Sequence, residues 1–188
     1  MRRILLLALL LWWFAPPLFA SAAAASVSPP ADLDRRVGFD QRLGAQLPME
    51  LPLREVDGQS TTLARIAHGK PMLLAMGYYR CPNLCDPMRQ GIAQTATAMP
   101  LVVGEDYQIV FLGIDPAETA DDVTHSRQML ARSSPAAHVE RWHRLRGDTA
   151  TVLAIAKAIG YRYFFDPALG QFAHPAGLVI VSPESKTT

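Results

Sequence analysis

Beyond the N-terminal 25 residues, three short runs are continuously apolar: 72–76, 109–114 and 178–181. Runs of this length without a polar alternation predict strands buried on both faces of a central sheet. A further pair of strands is predicted over 51–63, where Leu51, Leu53 and Val56 lead into the turn pair Asp57-Gly58 and Thr61, Thr62 and Leu63 return. Three helices follow from 3.6-residue spacing. In the first, Asp86 is the expected N-cap with Pro87 at the first helical position, and Met88, Ile92, Ala96 and Met99 share a face. In the second, Thr119 and Asp122 have capping-box spacing, Val123, Arg127 and Leu130 continue the helix, and Pro135 ends it. The third starts at Asp148, carries Val152, Ile155, Ala156 and Ile159 on one face, and closes on Gly160. Tyr161 to Phe165 and Phe172 to His174 then flank the turn residues Asp166-Pro167 and Leu169-Gly170 before the last strand.

The order is strand, helix, strand, helix, helix, strand, which predicts an α/β domain with a central mixed sheet flanked by helices, in a thioredoxin-like order. A complete fold of that kind carries one more strand and a final helix after the strand holding Val179. Residues 182–188 have no room for them, so the last strand and helix are expected to be missing. The domain is expected over 48–188, preceded by an arm or linker over 26–47 that shows no sustained period. Residues 1–25 read as an export signal: Arg2 and Arg3 precede an apolar stretch over 4–14 that is too short to span a bilayer, and small residues follow at Ser21, Ala22, Ala23, Ala24 and Ala25. This points to the periplasm or cell envelope, with membrane contact only if the signal is not cleaved. The 18 basic and 17 acidic residues nearly cancel, with two of the basic ones in the signal, so nucleic acid is not an expected partner. With 49% apolar and 19% charged residues, the chain can bury a core of its own.

The chemistry-bearing motif is Cys81-Pro82-Asn83-Leu84-Cys85, between the first buried strand and the first helix. A helix N-terminus offers partial positive charge and unpaired N–H groups, so at least one of these thiols is expected to have a lowered pKa. Thiolates serve both disulfide exchange and soft metals, and two sulfurs with one imidazole suit Cu(I). A purely structural disulfide over five residues is the plainer reading, although closing so short a loop restrains the unfolded chain little. The motif alone leaves all three open. Of the five histidines, His68, His125, His138 and His143 stand in polar surroundings and read as surface residues. His174 differs, because the loop into the last strand of a thioredoxin-like order passes beside the first helix's N-terminus. Asp115, at the end of a central strand, is a candidate for orienting the site from behind the ligands, and an Asp-Pro helix start explains it equally well. Met88 has a soft thioether near the pair but keeps core spacing with Ile92, and Tyr78 and Tyr79 either shield the site or finish the strand.

The run Gly69-Lys70-Pro71, the stretch from Tyr78-Tyr79-Arg80 through Cys85, the strand end Gly113-Ile114-Asp115-Pro116 and the late Phe172-Ala173-His174 together resemble the Sco/SenC family, over about residues 50 to 182. The resemblance implies a thioredoxin-like copper protein of the periplasm or mitochondrial inner membrane that delivers copper to the dinuclear copper site of cytochrome c oxidase and also acts as a thiol-disulfide reductant. It implies Cys81, Cys85 and His174 as copper ligands, and as partners the oxidase's copper-site subunit and a thioredoxin-like reductant. Pro175 is a departure, since the family often has serine after this histidine. The alternative class is a thiol-disulfide oxidoreductase in which Cys81 attacks a partner disulfide, Cys85 resolves the mixed intermediate and His174 is dispensable. A peroxiredoxin-like peroxidase ranks last, because no separate feature singles out peroxide.

Overall fold

The structure, a computed structural model, describes residues 32–81 and 85–188, so the expected export signal and the middle of the cysteine motif lie outside the described residues. The chain runs α1 (Leu33–Arg36), β1 (Gly38–Phe39), β2 (Leu53–Arg54), β3 (Ser60–Thr61), α2 (Leu63–Ala67), β4 (Met72–Gly77), α3 (Cys85–Ala98), β5 (Gln108–Gly113), α4 (Ala120–Ser133), β6 (His143–Leu145), α5 (Thr149–Ile159), β7 (Tyr161–Arg162), β8 (Phe164–Asp166), β9 (Gln171–Ala173) and β10 (Leu178–Val181). Four of the strands form the central sheet in the order β10-β4-β5-β6, with β4, β5 and β6 parallel and β10 antiparallel to β4.

The apolar runs of β4 and β5 are buried on both faces because successive side chains serve two cores. Leu74, Met76, Val110 and Leu112 pack with Val152, Ile155 and Ile159 of α5, while Ala75, Ile109 and Phe111 pack with Ile92 of α3 and Val123 and Leu130 of α4. Capping follows the residue types. Thr119 forms a reciprocal capping box with Asp122, and the Asp148 carboxylate accepts from the Thr151 N–H at 2.7 Å. Gly160 ends α5 at φ 78°, where a Cβ would stand 1.9 Å from the Asp40 carbonyl oxygen. That close approach comes from the segment before the domain's first hairpin: Asp40 N–H donates to Gly160 O, β1 pairs with β7, and Leu47 is buried.

Four details differ from the expectations above. β6 was hidden by its polarity; it is three residues long, and its Arg144 is buried with the guanidinium donating to the carbonyls of Val139 and Trp142. The five-residue α2 is likewise too short for a period to reveal it. α3 begins at Cys85, so Asp86 lies inside the first turn and its carboxylate pairs with Arg89 in place of capping. β10 is not buried on both faces: as an edge strand it buries Val179 and Val181 and exposes Leu178 and Ile180. Next to it the chain turns back, bridging Thr187 to Val181 and donating the Thr188 N–H to Ile180 O. Among the described residues no helix is long and apolar enough to cross a membrane.

Candidate metal centre

Three elements converge at one end of β4. The strand delivers Tyr78, Tyr79, Arg80 and then Cys81; Cys85 is the first residue of α3; and His174 follows β9. The ligand atoms of Cys81, Cys85 and His174 all lie within 4.8 Å of one another. His174 Nε2 is 3.3 Å from Cys85 Sγ and 4.0 Å from Cys81 Sγ. Cys85 is fully buried, Cys81 is nearly so and His174 is half-buried. The dithiol is present in the structure.

Of the two thiols, Cys85 is not one whose pKa the helix start lowers. The Cys85 thiol is pushed well above the ordinary range, first by its hydrogen bond with Cys81 and then by burial, with Coulombic repulsion from Cys81 adding to both. The Tyr78 backbone and the Arg89 guanidinium draw it down only in part. Position at a helix start is outweighed because two sulfurs this close repel once both are charged. A cation shared by both sulfurs removes that repulsion and takes the place of the protons.

Aromatic rings surround the imidazole. Tyr78 meets His174 edge-on at 5.5 Å between centroids and Phe172 at 5.9 Å, and Tyr163 and Phe165 pack on Phe172 in turn. The Tyr78 hydroxyl also hydrogen-bonds Cys81, so Tyr78 shields the site, whereas Tyr79 turns to the other face and donates its hydroxyl proton among the carbonyls of Phe111 and Leu145. A cavity of about 260 Å³ opens beside Cys81 and His174, lined also by Leu33 and Val37 from the N-terminal arm.

Asp115 is not brought to the sulfurs. Its carboxylate accepts from the Arg80 guanidinium at 2.9 Å and from the Ala117 N–H at 2.9 Å. Met88 sits half-buried in a groove with Ile92 and Ile180. Three of the remaining histidines are exposed, while His143 is half-buried with Nδ1 2.6 Å from Glu55 Oε1.

Two residues near the site were not foreseen. Glu118 is buried, and its Oε1 accepts from the Arg80 N–H at 2.7 Å, one residue before Cys81. Burial, chiefly, lifts its carboxyl to about 7, against the hydrogen bonds from the Arg80 and Tyr79 backbones. Tyr161 places its hydroxyl 2.9 Å from His174 Nδ1. Glu118 does stand three residues after Asp115, but nothing in the spacing says that it folds back under the Cys81 turn.

Gly77 shows how little room the pair has. A Cβ there would stand 3.0 Å from Cys85 Sγ and 3.0 Å from the Phe111 ring. Gly77→Ala is therefore expected to cost about 2 kcal/mol of stability through overpacking. Urea denaturation checks it, and an unchanged midpoint would mean that the ring and the sulfur yield freely.

The family model described as SCO1/SenC matches residues 41–188. The chain belongs to the SCO1/SenC family. No curated protein matches the chain. Among solved structures, the chain is similar to Arabidopsis thaliana ScoI with copper bound, at 20% identity and TM-score 0.58 over 78% of this chain and 85% of that one. It is similar to a SCO1/SenC family lipoprotein from Bacillus anthracis at 17% identity and TM-score 0.63, over 80% and 86%. BsSco, a member of the Sco family of cytochrome c oxidase assembly proteins with an identified disulfide switch, aligns at 18% identity and TM-score 0.55 over 82% and 85%. At these identities the likeness is one of fold, and the fold is the thioredoxin-like one.

Proposed function

We propose that this protein carries copper on Cys81, Cys85 and His174 and hands it on for assembly of the dinuclear copper site of cytochrome c oxidase. The observation that carries this reading is the convergence of two sulfurs and one imidazole nitrogen within 4.8 Å in a buried setting. The donor set fits the ion: thiolate and imidazole are soft or borderline ligands that favour Cu(I), and among the described residues no carboxylate joins the cluster to favour a hard cation. The copper-bound ScoI from Arabidopsis thaliana and the membership of BsSco in an oxidase-assembly family support it.

Copper is cargo here, and the protein's residues do the rest. Both cysteines must be reduced first, so a thioredoxin-like partner supplies two electrons and two protons to any Cys81–Cys85 disulfide and becomes a disulfide itself. Loading then displaces the thiol protons, and unloading proceeds by exchange onto an acceptor's ligands. The Arg89 guanidinium, buried one turn along α3, lowers the cost of negative charge on Cys85. The export signal expected over 1–25 and the lipoprotein relative from Bacillus anthracis support an envelope location.

The disulfide switch of BsSco favours a second reading. In it, Cys81 attacks a partner disulfide and Cys85 resolves the mixed disulfide, returning a partner dithiol and leaving Cys81–Cys85 oxidised. An anaerobic Cu(I) titration of the reduced protein against a strong chelator separates the two. One tightly held copper per chain is expected; no competitive binding by a folded protein would leave disulfide exchange as the better account.

A further inference from the structure

Tyr161 is the first residue after the glycine that ends α5, and it is 3% exposed. Its hydroxyl lies 3.0 Å from Met76 O, 2.9 Å from Pro175 O and 2.9 Å from His174 Nδ1. Nδ1 is itself 2.9 Å from Pro175 O. The pairing of β4 with β10 stops at Ala75, so the Met76 carbonyl one residue further on takes the phenol as its partner.

These four groups are best matched with a proton on Nδ1. The phenol has a single proton and the carbonyls have none. Were Nδ1 to carry a lone pair, it would face the Pro175 carbonyl oxygen, and the phenol proton could not serve Nδ1 and both carbonyls. With a proton on Nδ1 every group is satisfied: the phenol donates to Met76 O, and Nδ1–H donates to the phenol oxygen and Pro175 O. In the neutral imidazole Nε2 is then the nitrogen with the lone pair, and it is Nε2 that faces the two sulfurs. The Tyr161 ring plane lies 29° from that of the imidazole, at 6.5 Å between centroids.

We propose that Tyr161 is a positioning residue for His174: its hydroxyl ties the end of β4 to the His174–Pro175 turn and holds the imidazole as the Nδ1–H tautomer, with Nε2 turned to Cys81 and Cys85. The consequence for copper rests on the metal reading above, whereas the tautomer does not. Burial keeps the phenol protonated throughout the ordinary pH range.

Long-range ¹H–¹⁵N NMR of the reduced, metal-free protein reads which nitrogen of His174 holds the proton. The Nδ1–H form, with a slowly exchanging proton, is expected. Tyr161→Phe is expected to speed that exchange, admit the other tautomer and weaken Cu(I) binding about 10- to 100-fold, the usual penalty for losing a group that orients a ligand. Tyr79→Phe is the control. It removes an equally buried hydroxyl from two carbonyls on the opposite face, and so lowers stability while leaving tautomer and affinity alone. An Nε2–H imidazole in the unsubstituted protein overturns the proposal without any variant having to fold. So does a Tyr161→Phe protein with unchanged tautomer, exchange and affinity, or a Tyr79→Phe protein that behaves the same as Tyr161→Phe. Absence of copper binding alongside the expected tautomer changes would remove the metal reading and leave the role of Tyr161 in place.

Discussion

Cys85→Ser is expected to weaken Cu(I) binding by about a thousandfold, roughly 4 kcal/mol. Cys85 is the innermost of the three candidate ligands, fully buried and nearer to His174 Nε2 than Cys81 is. A serine oxygen fits the same space but is a hard donor that keeps its proton at neutral pH, so copper would be left with one sulfur and one nitrogen. Cys81→Ser is expected to have a comparable effect. His174→Ala should cost less, because two thiolates alone still form a competent Cu(I) pair. Chelator competition under anaerobic conditions ranks the three variants. A Cys85→Ser protein that holds copper as tightly as the unsubstituted one would exclude Cys85 as a ligand. A His174→Ala protein with the largest loss would mean that the imidazole, rather than the sulfur pair, anchors the metal.

How much of this was legible beforehand depends on the range over which each feature acts. Local features were readable because they are written in neighbouring residues: the apolar runs of β4 and β5, the Thr119–Asp122 box, and the Asp148 and Gly160 ends of α5. β6 was not, since its register depends on Arg144 finding carbonyl partners, which no period announces. At the site, Cys81 and Cys85 stood out by spacing and placement, and His174 through topology and family resemblance. The groups that act on them were invisible for a common reason. Glu118 reaches Arg80 across 38 positions and Tyr161 reaches Met76 across 85, and neither pairing is set by anything local. Which thiol of the pair keeps its proton was not legible either, because a rule for an isolated thiol at a helix start says nothing of the second sulfur that raises Cys85.

The same buried surroundings make stability depend on pH through Glu118. Its carboxyl is raised from the ordinary 4.5 to about 7, chiefly by burial, with Asp115 adding repulsion and the Arg80 and Tyr79 backbones working in the other direction. An acid that holds its proton more tightly folded than unfolded stabilises the fold fully below its unfolded pKa. That stabilisation is lost as pH rises from about 4.5 through about 7, where the native group finally ionises. The loss is on the order of 3 kcal/mol between those limits. Glu118→Gln keeps an oxygen for the Arg80 N–H and carries no charge, so it is expected to remove most of this slope. The variant should equal the unsubstituted protein near pH 5 and exceed it in stability at pH 8. Urea denaturation at the two pH values, in both proteins, makes the comparison. Equal losses of stability in both would assign the pH dependence to another group and leave Glu118 only as the acceptor that holds the turn before Cys81.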